Sequence, residues 1–256
     1  MMCKNIFTIS KATFVELLKT KVMYIALILA FIQIIFSVAS IKLTYGIGPR
    51  LLVDFSLGIQ SILLTILSVF LGVNLIFEDI AGKFIHVLLS RPIKKYEYIF
   101  GKITGLMFIL IFVASILTVT SLVLFEIYNC KIDTLLIHAF LTLFFKSSIL
   151  IILSVILSLI FEKVLAVFFT TSILIAGYSV PEILKSKSIF LADNQRTILH
   201  YFSYSIPDFN KLDLTRFIGT NIDLSTTTLI NIYAYAIVYF TIIFFFTLFI
   251  FKNREL

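Results

Sequence analysis

Residues 134–161 read TLLIHAFLTLFFKSSILIILSVILSLIF, an apolar run carrying one charged side chain, Lys146. A predominantly apolar stretch of about 20 residues is the length of a helix that crosses some 30 Å of hydrocarbon. The same pattern recurs on both sides. Six spans are expected, at about 22–41, 53–77, 103–127, 134–161, 164–180 and 227–251. With 60% hydrophobic and 14% charged residues and a mean hydropathy of +1.10, the chain reads as an all-α polytopic membrane protein. No repeat or low-complexity linker divides it, so residues 1–256 form one transmembrane domain. The 28 Phe against no Trp reflect compositional bias rather than an aromatic binding site.

The formal charge of +7 is distributed by side. Lys4, Lys11, Lys19, Lys21, Lys83, Arg91, Lys94, Lys95, Lys102, Lys163, Lys252 and Arg254 fall on one side of the six spans, and Lys42, Arg50 and Lys131 in the short loops of the other. Cytoplasmic loops collect Lys and Arg, which puts both termini inside. The basic total therefore implies a lipid bilayer as partner and no nucleic acid. Residues 4–21 place Phe14, Leu17 and Leu18 on one helical face, as expected of an amphipathic helix lying in the membrane interface. The first apolar run is too long and starts too late for a cleavable signal, so it stays as a span.

Cys3 and Cys130 fall on opposite sides and are not expected to pair. His86, His138 and His200 have no thiol or carboxylate partner at metal-ligand spacing, so no metal site is expected. GYSVP (177–181) lacks the second glycine of a nucleophile elbow, and no catalytic residue is assigned. Residues 181–226, the long outer segment, are expected to form short helices against the membrane surface, since about 45 residues bury too little core alone.

One polar segment interrupts the apolar chain: Glu78–Lys102, EDIAGKFIHVLLSRPIKKYEYIFGK, with five of the 21 Lys and Arg. Ile80, Phe84, Val87 and Leu88 recur at helical spacing, predicting an amphipathic helix over about 79–90. Glu78 and Asp79 would begin it, where the helix dipole favours carboxylates. Pro92 would end it. A second short segment, KKYEYIF, would lead into Gly101-Lys102 and the third span.

The pattern E-D-x-x-G-K-x-x-x-x-L-L-S-R-P followed by Y-x-x-G-K resembles the cytoplasmic segment between spans two and three of ABC-2-type ABC transporter permeases. The six-span layout with an N-terminal helix resembles that family too. So does SIPDFNKLDL (205–214), similar to a P-x-x-x-x-x-D/N-L region that precedes the last span in one branch. The resemblance covers nearly the whole chain. It implies a permease subunit of an ATP-driven transporter, an exporter in the bacterial inner (cytoplasmic) membrane. Two permease chains, a homodimer, would each dock one ABC ATPase subunit. Residues 79–90 would be the coupling helix, and Glu78, Asp79, Gly82, Lys83, Leu88, Leu89, Arg91 and Pro92 would bind the ATPase. ATP and Mg would belong to that partner, with no cofactor in this chain. In keeping with this, Gly82-Lys83 and Gly101-Lys102 lack both the upstream glycine and the following Ser or Thr of a phosphate-binding loop.

Lys146 is an intramembrane cation, expected to face a partner, cavity or interface rather than lipid, unless it lies near enough to one end to snorkel. Asn74 is expected to hydrogen-bond across helices near the inner end of the second span. Gly101-x-x-x-Gly105 and Ser68-x-x-x-Gly72 have the spacing that lets helices approach closely. The alternative to transport is a membrane assembly or scaffold protein whose basic hairpin binds a soluble partner or lipid headgroups.

Overall fold

The computed structural model of the protein describes residues 2–19, 22–42, 48–81, 94–130, 134–186, 193–218 and 224–253. Every regular element among these residues is helical: α1 (Met2–Lys19), α2 (Val22–Lys42), α3 (Gly48–Ala81), α4 (Lys95–Ile127), α5 (Thr134–Ile160), α6 (Lys163–Lys185), α7 (Asp193–Ser205), the 3-10 turns η1 (Phe209–Leu212) and η2 (Leu214–Phe217), and α8 (Thr226–Asn253). Helices α2, α3, α4, α5, α6 and α8 contain the six stretches long and apolar enough to cross a membrane. The chain is an all-α, multi-pass membrane protein.

Helix α5 is the axis of the bundle. Its residues Lys146 to Ile152 are buried in unbroken succession, so neighbours cover every side of the helix. Those neighbours are α3, α4, α6, α8 and both 3-10 turns. Helices α2, α6 and α8 lie at the perimeter and turn Phe31, Phe36, Phe168, Ile175, Phe245 and Phe249 outward. Such a surface would drive association in water and suits contact with lipid tails.

Four boundaries differ from the hydropathy reading. Gly48-Pro49-Arg50, which precedes the expected span, lies in the first turn of α3, where a proline costs no hydrogen bond. Helix α4 starts at Lys95 rather than 103, so KYEYIF is helix and not a separate connecting segment. Tyr98 and Ile99 are buried there, and the Tyr98 ring stacks on Phe251 at 6.1 Å, which rewards continuing the helix outward. Helix α6 runs on through Pro181 to Lys185. Likewise α3 continues to Ala81 without a break, so Glu78 and Asp79 belong to its last turn rather than to the start of a new helix.

The N-terminal helix is docked, not free. Asn5 Nδ2 donates to Glu97 Oε2 at 3.1 Å, Ile9 faces Gly101, and Thr13 faces Gly105. Both numbers advance by four at each step, so α1 runs parallel to the first turns of α4. Phe14, Leu17 and Leu18 pack on the core as the amphipathic pattern requires, and Lys11, Glu16 and Lys19 stay exposed. What receives the apolar face is protein as well as membrane, because α4 offers glycines at the contact. The ends of the bundle are therefore distinct: α1 marks one, and the 3-10 turns mark the other.

Candidate functional site

Lys146 lies about 18 Å along α5 from Thr134 and about 21 Å from Ile160. At that depth it does not snorkel. It is 3% exposed, and its Nζ donates to Ser61 Oγ of α3 at 2.6 Å and to Tyr178 Oη of α6 at 2.9 Å. The same ammonium sits 5.4 Å from the centroid of the Tyr178 ring. An ammonium in the middle of a membrane helix costs a few kcal/mol even on lenient scales. Two hydroxyl acceptors and an aromatic face offset part of that cost. Among the described residues no carboxylate lies within ion-pair distance of Lys146; Asp213, at the junction of η1 and η2, acts on it through space.

Asp213 comes so close because the stretch around Pro207 to Ile218 folds inward. Phe209, Leu212 and Leu214 are fully buried, packed on α5, α6 and α8. This differs from the expectation of helices resting on the membrane surface, which α7 fits: it packs on α6 and exposes Ile198, Tyr201, Phe202 and Tyr204. Local hydrogen bonding makes the inward turns. The Asp208 side chain accepts from Asn210 N at 3.1 Å and that of Asp213 from Thr215 N at 3.3 Å, so each aspartate caps a 3-10 turn. Gly177 admits the segment, since a Cβ there would lie 2.4 Å from the Pro207 carbonyl oxygen and 2.6 Å from the Phe209 ring. Asn210 Nδ2 donates to the Tyr178 carbonyl at 2.7 Å, and the Asp208 N–H donates to Tyr235 Oη at 2.7 Å. One segment thus ties α6 and α8 together directly above Lys146.

A second buried polar cluster joins α2, α3 and α4. Gln33 Nε2 lies within hydrogen-bond distance of Ser56 Oγ, the Leu117 carbonyl and Ser121 Oγ. Ser121 Oγ reaches Gln60 Oε1 at 3.2 Å, and Gln60 Nε2 donates to Thr118 Oγ1 at 3.0 Å. Gln33 Oε1 and Ser37 Oγ are buried without a partner among the described residues. The sequence reading passed over Gln33 and Gln60; two glutamines inside apolar runs were the signal that would have found them.

Asn74 is half-buried, and among the described residues its Oδ1 has no hydrogen-bond partner. Both small-residue pairs pack within the chain: Gly101 and Gly105 against α1, and Gly72 against Ser154 of α5, whose Oγ would lie 1.8 Å from an added Cβ. His138 Nδ1 bonds Tyr233 Oη at 2.7 Å and, among the described residues, no group of His, Cys, Asp and Glu is placed to hold a metal. Glu78 and Asp79 are placed by their backbone alone. Gly82, Lys83, Leu88, Leu89, Arg91 and Pro92 lie outside the described residues. Compared with known proteins, the chain matches no protein family and no curated protein.

Proposed function

We propose that the chain is the permease subunit of an ATP-driven exporter in a bacterial inner membrane, with both termini cytoplasmic. The observation that carries this reading is the polar segment 78–102, with its E-D-x-x-G-K…L-L-S-R-P…Y-x-x-G-K pattern, between two spans of a six-span chain. Its described parts agree with such a role in one respect. The segment leaves from the last turn of α3 and enters the outermost turns of α4, and α1 is clamped to those turns by Asn5–Glu97 and by the Glu16–Lys102 ion pair at 3.7 Å. A push on the segment would reach α1 and α4 together.

In this reading two copies of the chain pair in the membrane, each docks one ATPase subunit through residues 78–92, and ATP and Mg stay in that partner. The chain contributes no catalytic residue. Lys146, bonded to three neutral groups' worth of contacts at Ser61 and Tyr178, would act as a fixed charge that α3 and α6 must release or keep as they move.

The test is co-purification of the detergent-solubilised chain with a candidate ABC ATPase, comparing wild type with Gly82→Trp and Leu88→Asp. Loss of the ATPase from variants that still elute as folded protein supports the coupling assignment. Equal retention by both variants, or no ATPase on the wild type, moves the scaffold reading ahead.

A further inference from the structure

A pocket of about 520 Å³ opens at the end of the bundle that carries the 3-10 turns, between α6, η1, η2 and the first turns of α8. Several of its polar groups have donor capacity to spare, although Asn210, also in the wall, spends its Nδ2 on the Tyr178 carbonyl and leaves Oδ1 as an acceptor with no partner among the described residues. Lys185 and Asn231 are exposed, and their side chains have no hydrogen-bond or ion-pair partner among the described residues. Tyr235 Oη accepts from the Asp208 N–H, which leaves its own proton to give. Lys211 sits 4.9 Å from the Tyr235 ring centroid and makes a loose ion pair with Asp208 at 3.9 Å while 56% exposed. At that length the pair binds the ammonium loosely, and the exposed Lys211 can turn a free N–H to a second acceptor while Asp208, only 12% exposed, stays in place. Two ammonium groups from different elements, a phenol and an amide therefore face one space against a single carboxylate.

The rest of the wall is apolar, from Phe217, Leu224 and Ile232. Thr228 to Tyr235 lie within about 14 Å of the start of α8, toward one end of its span Thr226–Lys252. Beside the pocket, Ile230, Ile237 and Val238 of α8 face outward, ready to run along a hydrocarbon chain. Few polar groups converging in a mostly apolar concavity are the usual make-up of a ligand site.

We infer that this pocket binds the head of an anionic, phosphate-bearing amphiphile, with the phosphate between Lys185 and Lys211 and the chain along α8. The site needs neither the ATPase nor transport, and it is tested on the chain alone.

The sequence has no Trp, so Phe217→Trp gives a single reporter inside the pocket. Three probes are titrated onto this variant in detergent: phosphatidylglycerol with brominated short chains, phosphatidylcholine with the same chains, and inorganic phosphate as competitor. Saturable quenching by the phosphatidylglycerol is expected, at least tenfold weaker for the phosphatidylcholine and for Lys185→Gln/Lys211→Gln, and restored by Lys185→Arg/Lys211→Arg. Equal quenching by both lipids, or quenching that the Gln pair leaves unchanged in a protein of unaltered thermal stability, overturns the site. Inorganic phosphate that displaces the lipid at equal concentration shows a free-anion site and overturns the amphiphile.

Discussion

Ile9 fills the space that a side chain at Gly101 would need: a Cβ added there would lie 2.7 Å from both the Cβ and the Cγ2 of Ile9. One turn on, Thr13 Cβ stands 2.7 Å from the same position at Gly105. Neither contact involves the far end of a flexible side chain, so enlarging either glycine must move a helix.

Gly105→Leu is expected to destabilise the protein by roughly 1–3 kcal/mol, the usual cost of overpacking, and to loosen α1 from α4. Gly58→Ala serves as the contrast, because nothing lies within 4 Å of a Cβ there. It should be neutral or stabilising by up to about 1 kcal/mol. Thermal unfolding in detergent measures both. A Gly105→Leu protein as stable as wild type would show that α1 is not held at that face.

Lys146→Met should leave stability within about 1 kcal/mol of wild type. Exchanging a buried ion for an apolar residue of similar length trades lost hydrogen bonds for relief of desolvation. On the proposed permease reading, export measured in reconstituted vesicles with a partner ATPase should nonetheless fall. A stability loss of several kcal/mol would instead make Lys146 the tie that holds α3, α5 and α6 together.

For the cluster at Gln33, the singles Gln33→Leu and Ser121→Ala and their double variant form a cycle. Hydrogen bonds between membrane helices average about 0.6 kcal/mol by this method, so a coupling of about 0.5–1.5 kcal/mol is expected. Strict additivity would mean that the contact carries no energy of its own.

Cys130 follows the last turn of α4, outside the spans, and burial pushes its thiol above the ordinary value. Only the thiolate reacts with maleimide, so a raised pKa keeps the reactive fraction small at neutral pH. In a Cys3→Ser background the labelling rate should rise about tenfold per pH unit from 7 to beyond 8.5, the free-thiol range. A plateau below that range contradicts the burial. Membrane-impermeant reagent on intact cells should reach Cys130; labelling only after lysis would invert the proposed orientation.

The apolar windows located every span to within a few residues except where a long-range partner extends a helix. KYEYIF reads as a polar connector because its partner, α1, lies about 90 residues away, and Asn5 cannot be matched to Glu97 by local pattern. Phe209, Leu212 and Leu214 were visible as scattered hydrophobics in a polar loop. That they point into the bundle depends on the room left by Gly177 and on the Asp208 and Asp213 turns, which only the tertiary arrangement reveals. Lys146 was legible as an intramembrane cation, whereas Ser61 and Tyr178 carry no sequence mark as its partners.

If the chain is the permease proposed above, the inward segment over Lys146 also constrains where cargo could travel. A solute moving down the axis of one bundle would have to evict Phe209, Leu212 and Leu214, all fully buried, and then part Lys146 from Ser61 and Tyr178. Along the flanks, at the outward aromatic faces of α2, α6 and α8, no such obstruction stands among the described residues. On the proposed permease reading, each chain would then be one wall of a passage, with the lumen at the seam between two copies.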